Sequence, residues 1–140
     1  PAIFIYDRKE KVIAAVHSGW RGTEKNILRK TIQKLRDDFH SDPSNLICYI
    51  GPSISQRNYE VGEEVAAKFD KEFVYINRNK FYLDVAGANY KMLIEEGVKR
   101  TNIQVSCLCS YEYENILHSY RREGVKSGRA LGVIAMKENN

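Results

Sequence analysis

Apolar and polar positions alternate in short blocks over the first fifty residues, divided by charged or glycine-containing turns. Residues 2–6 (Ala-Ile-Phe-Ile-Tyr) form an apolar run that predicts a buried strand. A polar turn, Asp7-Arg8-Lys9-Glu10-Lys11, joins it to a second run at 12–17, and two such runs across a short link predict a hairpin. After Gly22 the spacing changes: Ile27, Leu28, Ile32, Leu35 and Phe39 fall on one face at a 3.6-residue period, so a helix is expected over 24–39 with Thr23 as its N-cap. Ser41-Asp42-Pro43-Ser44-Asn45 reads as a loop, and 46–50 as a third strand stopped by Gly51-Pro52.

The second half repeats the alternation. A short helix is expected over 63–69, brief strands at 73–76 and 81–83, and a turn at 77–80. Asp84 is placed to cap a second long helix that buries Val85, Ala88, Met92 and Leu93 and stops at Gly97. Strands are expected at 103–109 and 129–136, with a long polar loop between them. Alternating strands and helices predict an α/β or mixed α+β fold, with mixed sheets flanked by helices. There is no internal repeat and no interdomain linker, so residues 1–140 are expected to form one domain.

Composition changes this picture little. At 140 residues, 43% hydrophobic and 29% charged, the chain can build one core. A net charge of +4 suits a phosphate-bearing substrate and is too weak to argue for nucleic acid, whose stacking aromatics would interleave with a basic stripe. No run approaches the roughly 20 apolar residues that span a bilayer. Three cysteines, Cys48, Cys107 and Cys109, do not make a disulfide framework; reduced thiols in the cytoplasm are expected, with at least one of Cys107 and Cys109 in the core. The chain enters a core strand directly at Pro1, so further polypeptide is expected upstream.

Candidate chemistry concentrates in two places. His17-Ser18-Gly19-Trp20-Arg21-Gly22 sets an imidazole at a strand end and a guanidinium at a helix start, suited to a metal or proton and to an anion. Each also has a plain structural reading: a satisfied histidine, and an arginine packed on Trp20. Ser119-Tyr120-Arg121-Arg122, with Lys126 and Arg129, is a basic, hydroxyl-rich loop that would bind phosphate or simply be a solvated charge run. Gly51-Pro52-Ser53-Ile54 with Tyr59-Glu60-Val61-Gly62 would line a pocket or make a turn. His40 ends a helix and His118 sits in a distant loop, so the chain shows no metal triad.

Taken in order, the His17–Gly22 block, Ile50-Gly51-Pro52, Tyr59–Gly62, Leu83-Asp84, Cys109, Ser119–Gly124 and Ser127-Gly128-Arg129 resemble the bacterial laccase-domain family over essentially the whole chain. That family was first described as a multicopper polyphenol oxidoreductase. It is now described as a purine nucleoside phosphorylase with adenosine deaminase and methylthioadenosine phosphorylase activities. The resemblance implies a mixed α/β fold of which this chain is the C-terminal portion. It implies one metal, usually zinc with copper also possible, on two histidines and a cysteine. His17 matches the last ligand; the other histidine and the cysteine would lie upstream of Pro1. It further implies His17 and Arg21 as catalytic residues, and Arg21, Ser119, Tyr120, Arg121 and Arg122 as binding purine nucleoside and phosphate. His118 departs from the family pattern, where an aromatic residue is common. Partners beyond substrate are the upstream segment or a second copy, with no nucleic acid and no membrane. Copper-dependent phenol oxidation, or a catalytically silent binding fragment, are the alternatives.

Overall fold

The structure is a computed structural model and describes residues 1–137. Strands β1 (Ala2–Asp7) and β2 (Val12–His17) pair antiparallel, with Ala2 opposite His17. Asp7 builds their turn: its Oδ1 accepts from Lys9 N at 2.8 Å and Glu10 N at 3.1 Å. Strand β3 (Leu46–Ile50) runs antiparallel to β1 on its other side, and β7 (Ile103–Val105) adds parallel to β3. The sheet order is β2-β1-β3-β7.

Side chains alternate across these strands, so Ile3, Ile5, Leu46, Cys48 and Ile50 share one fully buried face. Leu28, Ile32 and Leu35 of helix α2 (Ile27–Phe39) and Met92 and Leu93 of helix α4 (Val85–Glu95) pack into the same core. Each such aliphatic side chain contributes roughly 1.5–3 kcal/mol on leaving water. The two helices are also clamped at their ends. Arg36 donates to the Glu96 carbonyl at 2.7 Å, and both Arg29 and Arg36 pair with its carboxylate.

A second sheet lies beside the first. Strands β4 (Glu60–Val61), β5 (Val74–Asn77) and β6 (Lys80–Leu83) form it in the order β4-β6-β5, all antiparallel. The β5–β6 turn uses positive φ at Arg78 and Asn79. Helix α3 (Glu63–Ala66) covers it, and Val65, Leu83 and Val85 form a second small core with Trp20 and Tyr59 packed against it. Helix α4 begins as expected, with Asp84 Oδ1 accepting from Gly87 N at 2.8 Å, and the chain turns off its end at Gly97 with φ 93°.

Several expectations are corrected. The helix expected over 24–39 is two: α1 (Trp20–Glu24) and α2, separated by Asn26 at φ 56°. Thr23 therefore lies inside α1 and is no N-cap. Its buried hydroxyl bonds to Gly19 O, Ser18 and Asn89, and these contacts hold the first turn apart from the rest. Ile27 and Phe39, at the two ends of the apolar stripe, are 36% and 43% exposed. Residues 129–136 are not a strand, because no neighbour offers them a ladder; Leu131 is 89% exposed. The strand expected over 103–109 ends at Val105, and only Cys109 bridges again, to Ser53. Strand β4 and helix α5 (Tyr120–Glu123) occupy segments read as loops.

Candidate functional site

The β2–α1 turn is tied down from both sides. Ser18, fully buried, donates its backbone N–H to Pro1 O at 2.9 Å, while its hydroxyl meets Thr23 Oγ1 at 3.1 Å. Gly22 is packed so closely that a Cβ there would lie 3.0 Å from Ile27 and 3.3 Å from the His17 carbonyl. His17 itself is exposed at the end of β2, its imidazole over Gly19. Partial desolvation holds its pKa below the ordinary histidine value, favouring the neutral ring.

From Trp20, three residues after His17, the fold opens a cleft of about 350 Å³ lined by Trp20, Tyr59, Glu60, Val61, Gly62, Val65 and Arg121. Its walls are aromatic and its rim is cationic. The Arg21 guanidinium sits 4.7 Å from the Trp20 ring centre, and Lys68 Nζ 5.7 Å from the same ring. The Arg121 guanidinium lies 5.3 Å over Tyr59 and donates to Glu60 O at 2.8 Å. Among the described residues none of these three cations has a carboxylate partner, and the one acid in the cleft, Glu60, is paired with Lys80 at 2.9 Å. Burial raises the Tyr59 pKa, with Arg121 and Arg21 opposing it, so both guanidinium groups act on one phenol.

The basic loop divides. Arg121 reaches the cleft, but Arg122 does not. Arg122 spends its donors on the carbonyls of Ser110 (2.8 Å), Tyr111 (2.7 Å) and Leu117 (2.7 Å) and on Glu123, knitting its own loop together. Ser119 is buried, and its N–H donates to Glu123 Oε1 at 3.2 Å at the start of α5. Tyr120 is 61% exposed and lies under Arg129. His118 stands near Glu123, 3.7 Å from its carboxylate. Of the expected residues, then, Arg21 and Arg121 come together at the cleft, and His17 stands at the turn beside it. Tyr59–Gly62, singled out as a possible pocket wall, does line it. Lys68, just past the end of α3, meets the Trp20 wall only through the folded contact of its ammonium with that ring, which no local pattern signals.

Residues 1–137 match the family described as multi-copper polyphenol oxidoreductase laccase. The chain belongs to that family. Relatives within this laccase family include a purine nucleoside phosphorylase of Bacteroides thetaiotaomicron, 35% identical over 140 residues, covering 94% of this chain and 52% of the relative. A second, from Clostridium acetobutylicum, is also 35% identical, over 96% of this chain and 58% of its own. A protein named adenosine deaminase RL5, from an unknown prokaryote, is 33% identical over 96% and 54%. Among solved structures, Geobacillus stearothermophilus YlmD matches with a TM-score of 0.81 and 27% identity, over 86% of this chain and 48% of that one. Bacillus licheniformis YfiH matches at 0.81 and 26%, with the same coverage. The mixed α/β fold is thus the family's, and the chain spans about half the length of these relatives.

Metal binding, which the laccase family's description implies, is not completed by the donors of the described residues. Among the described residues no three His, Cys, Asp or Glu side chains gather in a metal-holding group, and His17 is a solitary candidate. Nor is any described helix long and apolar enough to cross a membrane.

Proposed function

We propose that this chain is the C-terminal portion of a purine nucleoside phosphorylase of the laccase-domain type, with adenosine deamination as a companion activity. The observation that carries this reading is the cleft between Trp20 and Tyr59, lined by Arg121, with Arg21 and Lys68 set against the Trp20 ring and none of the three given an acidic partner among the described residues. The names of the relatives support it.

Phosphorolysis joins a phosphate oxygen to the anomeric carbon of the ribose as the bond to the purine breaks. The protein must hold a dianion close to a neutral nucleoside and exclude water. Two guanidinium forks and an ammonium supply that charge, and the forks also fix the phosphate's orientation. Trp20 and Tyr59 offer flat apolar faces to a purine ring. Neutral His17 offers a lone pair beside the cleft, able to accept a proton or a metal. Zinc or copper there would need two more donors than the described residues supply. The β1–β2 register, which sets Ala2 against His17, would bring any residue ahead of Pro1 alongside. The proposed setting is the cytoplasm, where thiols at 48, 107 and 109 stay reduced.

Trp20 is the chain's single tryptophan, so its fluorescence reports on the cleft. Inorganic phosphate should change that signal saturably. Arg21→Ala and Arg121→Ala should each weaken the effect on the order of tenfold, the scale of one charge-assisted hydrogen bond. Inosine with phosphate should release hypoxanthine in a phosphate-dependent way, separable from deamination of adenosine and from oxidation of a phenol with added copper. A Trp20 signal blind to phosphate and to inosine, with no phosphate-dependent base release, would remove the reading.

A further inference from the structure

A second cavity, of about 510 Å³, shares no lining residue with the cleft and is lined by both Cys107 and Cys109, together with residues 53–56, Asp84, Gly87 and Tyr90. Nothing in the proposed reaction uses it. Its two thiols differ from the third in the chain. Cys48 is sealed in the sheet core, 1% exposed, and burial pushes its pKa up to about 12. Cys109 is almost as enclosed, 4% exposed, yet its sulfur is surrounded by donors. Ser55 N points at Sγ from 3.3 Å and Asn58 Nδ2 from 3.5 Å. Burial alone would raise this thiol, but the Ser55 contacts and the amides of Glu112 and Tyr111 outweigh it, leaving the pKa below the ordinary value. The charged groups nearby are balanced or engaged. Glu112 is paired with Arg57 and accepts from Asn58, and Asp84 accepts from Gly87 N.

Cys107 is the complement: exposed, two residues away, and opening into the same space. Cys109 is held to Ser53 by a single parallel bridge, while Cys107 lies between that bridge and the end of β7 with no ladder of its own. Residues two apart in sequence are close enough to reach the Cα range a disulfide spans, roughly 4–7 Å.

We infer that Cys109 and Cys107 form a hydroperoxide-oxidisable thiol pair at this cavity, Cys109 reacting first and Cys107 resolving it. The Cys109 thiolate attacks one peroxide oxygen. The O–O bond breaks, the displaced oxygen leaves as water after taking a proton, and Cys109 becomes a sulfenic acid. The Cys107 sulfur then attacks the Cys109 sulfur. The S–O bond breaks, water leaves with the Cys107 proton, and a disulfide remains. The peroxide is reduced by two electrons and the pair oxidised by two. Loss of the Cys109 thiolate also removes the acceptor that Ser55 N and Asn58 share, in the turn that leads directly to Tyr59.

The test uses the intact chain and hydrogen peroxide. The native protein should lose two hydrogens in intact mass, yield a peptide with Cys107 joined to Cys109, and recover on reduction with dithiothreitol. Cys107→Ser should instead give a dimedone adduct at Cys109, and Cys109→Ser should give neither product. The native chain also carries a test that needs no variant: brief iodoacetamide labelling at pH 7 should modify Cys109 at least about tenfold faster than Cys48. An unchanged mass, a bridge to Cys48, a dimedone adduct at Cys107 in Cys109→Ser, or labelling of Cys109 no faster than Cys48 would each overturn the inference.

Discussion

Asn89 Nδ2 donates to Thr23 Oγ1 at 2.9 Å, across 66 residues of sequence, and so pins the helix-start turn beside the cleft to the middle of α4. The same nitrogen bonds Val85 O at 2.8 Å, while Thr23 also donates to Gly19 O at 2.9 Å and meets Ser18. Both side chains are buried, so each bond removed leaves a polar partner without water. Thr23→Val keeps the shape and deletes the hub. It should cost on the order of 1–3 kcal/mol in urea unfolding, and Asn89→Ala a similar amount. Because the two share one bond, the double variant should cost less than the sum. An additive double variant would show that the pair does not act as a unit.

The adjacent arginines should part company on mutation. Arg122→Ala removes the donors that hold the carbonyls of Ser110, Tyr111 and Leu117 together. Amide exchange across 110–123 should accelerate, and stability should fall by about 1–3 kcal/mol, while the Trp20 response to phosphate persists. Arg122→Lys should not restore the loop, since a single ammonium cannot serve three carbonyls in fork geometry. Arg121→Ala should show the opposite pattern, with weaker phosphate response and little change in loop exchange.

Asp7 makes stability depend on acid. Burial pushes its carboxyl up, but the nearby Ser41 hydroxyl and the Glu10 and Lys9 amides outweigh it and hold the pKa below the ordinary carboxylate value. A carboxyl whose pKa is lower folded than unfolded stabilises fully above its unfolded value. That contribution is lost as pH falls through the folded one. Unfolding free energy should therefore drop below about pH 4. Asp7→Asn should flatten this limb, because an amide keeps the Oδ1 acceptor for the Lys9 and Glu10 amides and does not titrate. An acid limb unchanged in Asp7→Asn would assign the effect to other carboxylates.

Gly22 is a steric requirement of the turn. A methyl group there meets Ile27 at 3.0 Å and the His17 carbonyl at 3.3 Å. Gly22→Ala should destabilise by about 1–3 kcal/mol through overpacking. It should also shift the fluorescence of Trp20, two residues earlier on the same short helix. A variant with native stability and emission would mean that α1 moves freely against β2.

Much of this fold was legible in the sequence because its cause is local. The runs at 2–6, 12–17 and 46–50 are strands, the Asp84 cap and Gly97 stop bound α4, and Val85, Ala88, Met92 and Leu93 are its buried face. The block around His17 and Arg21 was visible as a strand–turn–helix corner for the same reason. Where the sequence misled, the deciding contact was remote. Thr23 had the composition of a cap, but its hydroxyl is claimed by Asn89. Residues 129–136 had the composition of a strand but have no strand beside them.

The chain's first three strands and its long helix after Asp84, its mixed α/β class and its family follow from hydrophobic period, turn chemistry and motif, all of which act between residues close in sequence. The cleft does not. Arg121 and Arg122 are neighbours with the same side chain, and only the packing of Tyr59 and Glu60 on one side and of Ser110, Tyr111 and Leu117 on the other leaves one bonded to a single carbonyl at the cleft and makes the other a loop clasp on three. Charge is a property of a residue, but whether that charge is available depends on which acceptors the folded chain brings within 3 Å of it.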